Sequence, residues 1–150
     1  MFVKEMNVQK VCGQEAGGDC FSTQNGGMYK DIVGNDWDIR NNANSYKLVL
    51  SDGTSVGINA YKNYYDYGDS EALKYVLGGI VVDVNGDKDP NAKGKDVFKF
   101  HITKYGIIPS GTQGDTDNPP ENCRTHGLAC AAWVITKGNM DYLKKDVSWR

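Results

Sequence analysis

The sequence predicts an α+β fold: the end of a helix at the N-terminus, an antiparallel meander of about five strands, and long irregular loops. Three observations predict it. Phe2, Val3 and Met6 share one helical face. From Tyr46 to Ile108 the apolar residues fall into short alternating or β-branched runs with turn residues between them. Much of the remaining chain is dense in Gly, Asn and Asp, which punctuate chains rather than build elements.

In chain order, the face of Phe2, Val3 and Met6 extends to the stem of Lys10, and Gly13 is placed to stop the element, as at the end of a longer helix. Residues 17–44 carry Tyr29, Ile32, Val33 and Trp37 as isolated anchors among turn formers, and read as an irregular segment wrapped over the core. Tyr46-Lys47-Leu48-Val49-Leu50 and Val56-Gly57-Ile58 flank Ser51-Asp52-Gly53-Thr54, and Asp-Gly between apolar alternations predicts a hairpin. Gly79-Ile80-Val81-Val82-Asp83-Val84 is short and β-branched, as a buried strand is. Val97-Phe98-Lys99-Phe100-His101-Ile102 alternates, then Tyr105-Gly106 turns the chain into Ile107-Ile108, which Pro109 ends. The polar stretch between Pro109 and Asn122 predicts an exposed loop. Ala131-Ala132-Trp133-Val134-Ile135, leading to Gly138-Asn139-Met140-Asp141-Tyr142-Leu143, fits a strand or a short helix, and we read a helix. No fixed-period repeat appears, and residues 1–150 read as one domain.

Composition excludes some functions. Seventeen basic and nineteen acidic residues give a formal charge of -2, without the positive field that attracts a phosphate backbone, so nucleic acid is not an expected partner. Apolar residues at 39%, with nine Tyr and three Trp, exclude wholesale disorder. No run of about 18 apolar residues occurs, and Met1 to Lys10 are too polar for the core of a signal peptide. Yet four cysteines in two close pairs point to an oxidising compartment, periplasmic or extracellular. The two observations agree if Met1 stands in place of an export or anchoring segment. Short loops close at small entropic cost, which favours Cys12–Cys20 and Cys123–Cys130. Neither spacing is the tight C-x-x-C knuckle of zinc sites.

Two groups carry possible binding chemistry. Asp83-x-Asn85-x-Asp87-x-Asp89 alternates oxygen donors through a turn supplied by Gly86 and Pro90, and Asp96 follows. Calcium takes six to eight oxygens, which such a loop can gather. It is not an EF-hand: the sixth position is Lys88 and the twelfth is Gly94, not the Gly and Glu that loop needs. A turn whose side chains bond their own backbone explains the same residues. The second group is Tyr61, Tyr64, Tyr65 and Tyr67, which suits a sugar-stacking or protein-binding platform and suits core packing equally.

Catalysis finds no support, and the chain is not read as an enzyme. His101 lies in a strand pattern and His126 between two half-cystines, neither beside a nucleophile motif. The pairs Asp36 with Asp38 and Asp115 with Asp117 stand in polar segments, where solvated acids are expected.

Asp83-Val84-Asn85-Gly86 with Pro90-Asn91, Gly94, Asp96, Phe98 and Phe100, followed by Cys130-Ala131-Ala132-Trp133-Val134-Ile135 and Gly138-Asn139-Met140-Asp141-Tyr142-Leu143, resembles the head domains of bacterial prepilin-type proteins. Val11-Cys12-Gly13 and Leu50-Ser51-Asp52-Gly53-Thr54-Ser55 are similar to the same group, so the resemblance spans most of the chain in order. That group's cleavage signal and long apolar helix are absent from the sequence. The resemblance implies that the helix end packs on the antiparallel sheet. It also implies a structural subunit of a type IV pilus-like filament or type II secretion pseudopilus, whose partners are other pilin or pseudopilin subunits. Its membrane contact would come only through the N-terminal helix, and the isolated head would be a monomer. Some pseudopilin heads bind calcium in a C-terminal loop. A free secreted binding module, calcium-dependent or carbohydrate-binding, is the alternative.

Overall fold

A computed structural model describes residues 7–14, 20–21, 29–37, 45–86, 88 and 90–144. The strands are β1 (Val8–Gly13), β2 (Tyr29–Lys30), β3 (Asp36–Trp37), β4 (Ser45–Leu50), β5 (Ser55–Tyr65), β6 (Val76–Asp83), β7 (Val97–Thr103) and β8 (Gly106–Pro109). The helices are α1 (Cys123–His126) and α2 (Ala131–Lys137), with short 3-10 turns around them. Six strands form one antiparallel sheet in the order β1-β4-β5-β6-β7-β8, and β2 pairs with β3 apart from it. The architecture is thus α+β, with β4 to β8 forming the expected five-strand meander.

The β4–β5 hairpin turns where Asp-Gly predicts. Asp52 accepts a hydrogen bond from the Thr54 backbone N–H at 2.9 Å, and Gly53 has φ 90°, a conformation that costs other residues strain. Pairing rows then set the two faces of the sheet. Tyr46, Ile58, Ile80 and Phe100 stand opposite one another across β4 to β7, with Leu48, Val56, Val82 and Phe98 in the next row. On the other face, Lys47, Gly57, Val81 and Lys99 form one row, and Val49, Ser55, Asp83 and Val97 another. Strand alternation therefore makes one face almost wholly apolar and the other mixed.

Each disulfide fastens a covering segment. Cys12–Cys20 ties β1 to Cys20-Phe21, which packs with Tyr29 and Val97 over the mixed face. Cys123–Cys130 closes the turn between α1 and α2, which buries Cys123, Ala129, Cys130, Ala131 and Tyr142 against Phe98. Gly138, with φ 68°, ends α2 and donates its N–H to the Val134 carbonyl.

Three expectations need correction. Val8–Gly13 is a strand rather than the end of a helix, and Phe2, Val3 and Met6 lie outside the described residues. Gly13 still ends the element. Valines at 8 and 11, the open edge of β4 and the tie at Cys12 favour pairing, and only Lys10 carried the helical face past Met6. Val84, read as part of the third strand, begins the turn after Asp83 and is exposed. The polar stretch after Pro109 is not a wholly exposed loop: Ser110, Gly111, Asp115 and Asn118 are buried.

Candidate functional site

The predicted aspartate loop begins where β6 ends. Asp83 is fully buried and accepts a 2.6 Å bond from the Tyr29 hydroxyl on one oxygen and the Asn85 backbone N–H at 3.3 Å on the other. Asp96 accepts the backbone N–H groups of Asn91 and Ala92, both at 2.7 Å, one on each oxygen. Burial pushes the Asp83 carboxyl up to about 7, the Tyr29 hydroxyl works against that shift, and neighbouring Asp96 adds to it. Burial likewise raises Asp96, against the amides of Ala92 and Asn91. The loop is stitched to β2: Lys30 donates its backbone N–H to Asn91, and Lys93 returns one to Lys30.

Of the five residues predicted to hold calcium, Asp83, Asn85 and Asp96 come together here, whereas Asp87 and Asp89 lie outside the described residues. No cluster of three or more His, Cys, Asp or Glu suited to a metal occurs among the described residues. Asp83 and Asp96 spend their oxygens on protein donors, as loop-ordering side chains do.

Asp115, expected to be solvated, is instead the hub of its loop. His101 and Asp115 are both fully shielded, with His101 Nε2 2.7 Å from the Asp115 carboxylate. That carboxylate also accepts backbone N–H bonds from Gly111, Asp117 and Asn118 at 2.9 to 3.0 Å. Burial pushes it up, but the bonds from His101, Asn118 and Gly111 prevail and hold it below the usual carboxylate range. Neither partner reaches solvent, so the pair braces structure. Asp117 meets Lys99 at 2.9 Å. Asp36 pairs with Lys30, and Asp38 lies outside the described residues.

Of the four tyrosines, Tyr61, Tyr65 and Tyr67 gather at one end of the sheet, while Tyr64, next to Tyr65 in β5, stands on the other face. Tyr65 lies between Tyr61 and Tyr67, with ring centroids 5.1 and 5.8 Å away, and Tyr67 leans on His101 at 5.6 Å. Tyr64 meets Tyr75 at 5.6 Å, and Tyr75 meets Tyr105 at 6.3 Å. Tyr75 and Tyr105 lie outside the group of four read from the sequence, because the 3-10 turn before β6 and the β7–β8 turn bring them in.

A further feature went unread: an open groove of about 450 Å³ lined by Tyr46, Ile58, Ile80, Ile102, Thr103, Gly106 and Ile107. All its walls are sheet strands and the β7–β8 turn. The signal was present in the alternation, since apolar positions of β4 to β8 fall in common pairing rows, but the register had to be known to align them. Among the described residues no helix is long and apolar enough to cross a membrane. The chain matches no family model, no curated protein and no solved structure.

Proposed function

We propose that the chain is the head of an extracytoplasmic structural subunit of the type IV pilin and pseudopilin kind, with an apolar helix as the natural cover of its sheet. One observation carries the reading: the apolar groove of Tyr46, Ile58, Ile80, Ile102 and Ile107, whose walls come from the sheet alone. Apolar area left open to water at this groove, with Tyr46 38% and Ile107 49% exposed at its rim, is costly at about 25 cal/mol per Å², and such a face ordinarily has an occupant. Val8 packs into the same apolar cluster, so the chain enters the sheet at the rim of that face. The segment preceding β1, to which Phe2, Val3 and Met6 belong, is the occupant the reading names. Two disulfides fit folding in an oxidising compartment, the periplasm or the cell exterior. Partners would be other subunits of the same assembly, and the isolated head would be a monomer.

The coding sequence upstream of Met1 tests this. A basic leader followed by about 20 apolar residues is the expected finding. An ordinary cleaved signal peptide would contradict it and favour a free secreted binding module.

Calcium at the Asp83 loop is proposed on a separate observation, that Asp83 and Asp96 are both buried in one loop and the charge of Asp96 disfavours that of Asp83. A divalent cation would relieve that repulsion as a proton does. Millimolar calcium should raise the melting temperature at pH 8, and Asp83→Asn should remove the gain. A melting curve indifferent to both calcium and chelator would leave Asp83, Asn85 and Asp96 as turn formers.

A further inference from the structure

We infer that the cavity between α1, the turn before β7 and the 3-10 turn after α2 is a binding site for a small carboxylate carried on an apolar body. The inference does not rest on the filament reading, since none of its residues lines the apolar groove.

Three cations converge there. Lys95, Arg124 and Lys144 line one cavity of about 450 Å³ together with Ile32, Tyr142 and Leu143. Lys144 has the Asp141 carboxylate beside it at 2.8 Å, whereas the Lys95 ammonium meets no acidic partner among the described residues. Three cations less that one carboxylate leave the described walls positive, against a formal charge of -2 for the whole chain. Like charges gathered round a cavity repel one another, and an anion between them removes that cost. The walls come from separate segments and are tied together. Tyr142 donates its hydroxyl to the Gly94 carbonyl at 2.6 Å, which fixes the residue before Lys95. Arg124 donates from Nη2 to the Lys144 carbonyl at 3.3 Å, and the Cys123–Cys130 bridge holds its neighbour in α1. A framework set before the ligand arrives lowers the entropy lost on binding.

The lining selects the ligand class. Arg124 is half-buried, where its attraction to an anion is screened less than at the open surface, and a guanidinium fork matches the two oxygens of a carboxylate. Lys95 and Lys144 are exposed and add charge at the rim. The other half of the lining is apolar. The Tyr142 hydroxyl is committed to Gly94, so what it adds to the wall is ring area, beside Ile32 and Leu143, and Leu143 is 45% exposed. A bare inorganic anion would leave that wall in water, whereas a carboxylate on an aliphatic or aromatic body covers it. The volume suits a molecule of the size of an acylated amino acid rather than a polymer.

The test titrates the purified chain in low salt with N-acetyl-leucine as the probe, followed by amide NMR, beside its neutral amide, acetate and inorganic phosphate. N-acetyl-leucine is expected to shift the amide signals of Lys95, Arg124, Leu143 and Lys144 saturably at millimolar concentration. The neutral amide, which lacks the charge, and acetate and phosphate, which lack the apolar body, should each bind about tenfold more weakly or not at all. Arg124→Gln should weaken binding of the acid about tenfold and Lys95→Gln about threefold. Lys95 is exposed and its side chain makes no bond within the described chain, so Lys95→Gln keeps the fold, and the NMR spectrum of each variant verifies this. Lys104→Gln, at the far end of β7, should leave binding unchanged. No saturable shift at these residues would overturn the proposal. So would equal binding of the neutral amide or of phosphate, or binding of the acid that Arg124→Gln and Lys95→Gln both leave intact.

Discussion

At the scale of single residues, two buried aspartates do opposite things with pH. Asp83 has a folded-state carboxyl raised to about 7, above its unfolded value, so the folded chain binds the proton more tightly. Its contribution to stability is full below the unfolded value and is lost as pH rises toward 7. Asp115 is held low, so its contribution is present above the unfolded value and lost as pH falls into the acid range. Asp83→Asn should therefore flatten the fall in melting temperature between pH 5 and pH 8, read by calorimetry; an unchanged slope would show that Asp83 ionises as an exposed acid does. Asp115→Ala leaves His101 and three backbone N–H groups without their acceptor, and should destabilise the fold by about 3 kcal/mol or more in urea unfolding. Neither role was legible in the sequence. Asp115 sits among Gly, Thr and Asp, and only the return of its loop onto β7 brings it to His101. Its neighbour Asp117, two residues on, stays near the surface with Lys99.

At the scale of elements, what could be read was whatever depends on near neighbours in sequence. The β4–β5 hairpin follows from Asp52-Gly53, β7 from its alternation and the β7–β8 turn from Tyr105-Gly106. The local disulfides follow from loop length. The misreadings occur where distant partners decide. Val8–Gly13 becomes a strand because β4 offers an edge, and a six-residue segment with few apolar positions has no strong preference of its own. In the candidate sites, Asp83 and Asp96 were found because they share one loop. The groove and the outer tyrosines needed the register of several strands. The Cys123–Cys130 bridge closes a short loop at the centre of the C-terminal cluster. Replacing both cysteines with alanine should lower stability by about 2 to 3 kcal/mol in the chain-entropy account. A loss below about 0.5 kcal/mol, within the scatter of ordinary surface changes, would show that the packing of Tyr142 and Ala131 on Phe98 holds that cluster without the bridge.

At the scale of the whole molecule, the sheet has two faces with different fates. The mixed face is covered by Phe21, Tyr29 and the Asp115 loop, with Tyr29 bonding buried Asp83 and Asp115 bonding His101 Nε2. On the apolar face, α1 and α2 lie against Phe98, while the row through Ile58 and Ile80 borders an open groove. In the proposed reading, an apolar helix preceding β1 would complete that face. The most direct measurement places a photo-crosslinking phenylalanine analogue at Ile107, on the groove rim, in the full-length gene product in its native cells. Mass spectrometry then identifies the peptide it captures. The account predicts an intramolecular crosslink to the segment that precedes Asn7. A crosslink to another protein, or none at all, would contradict it.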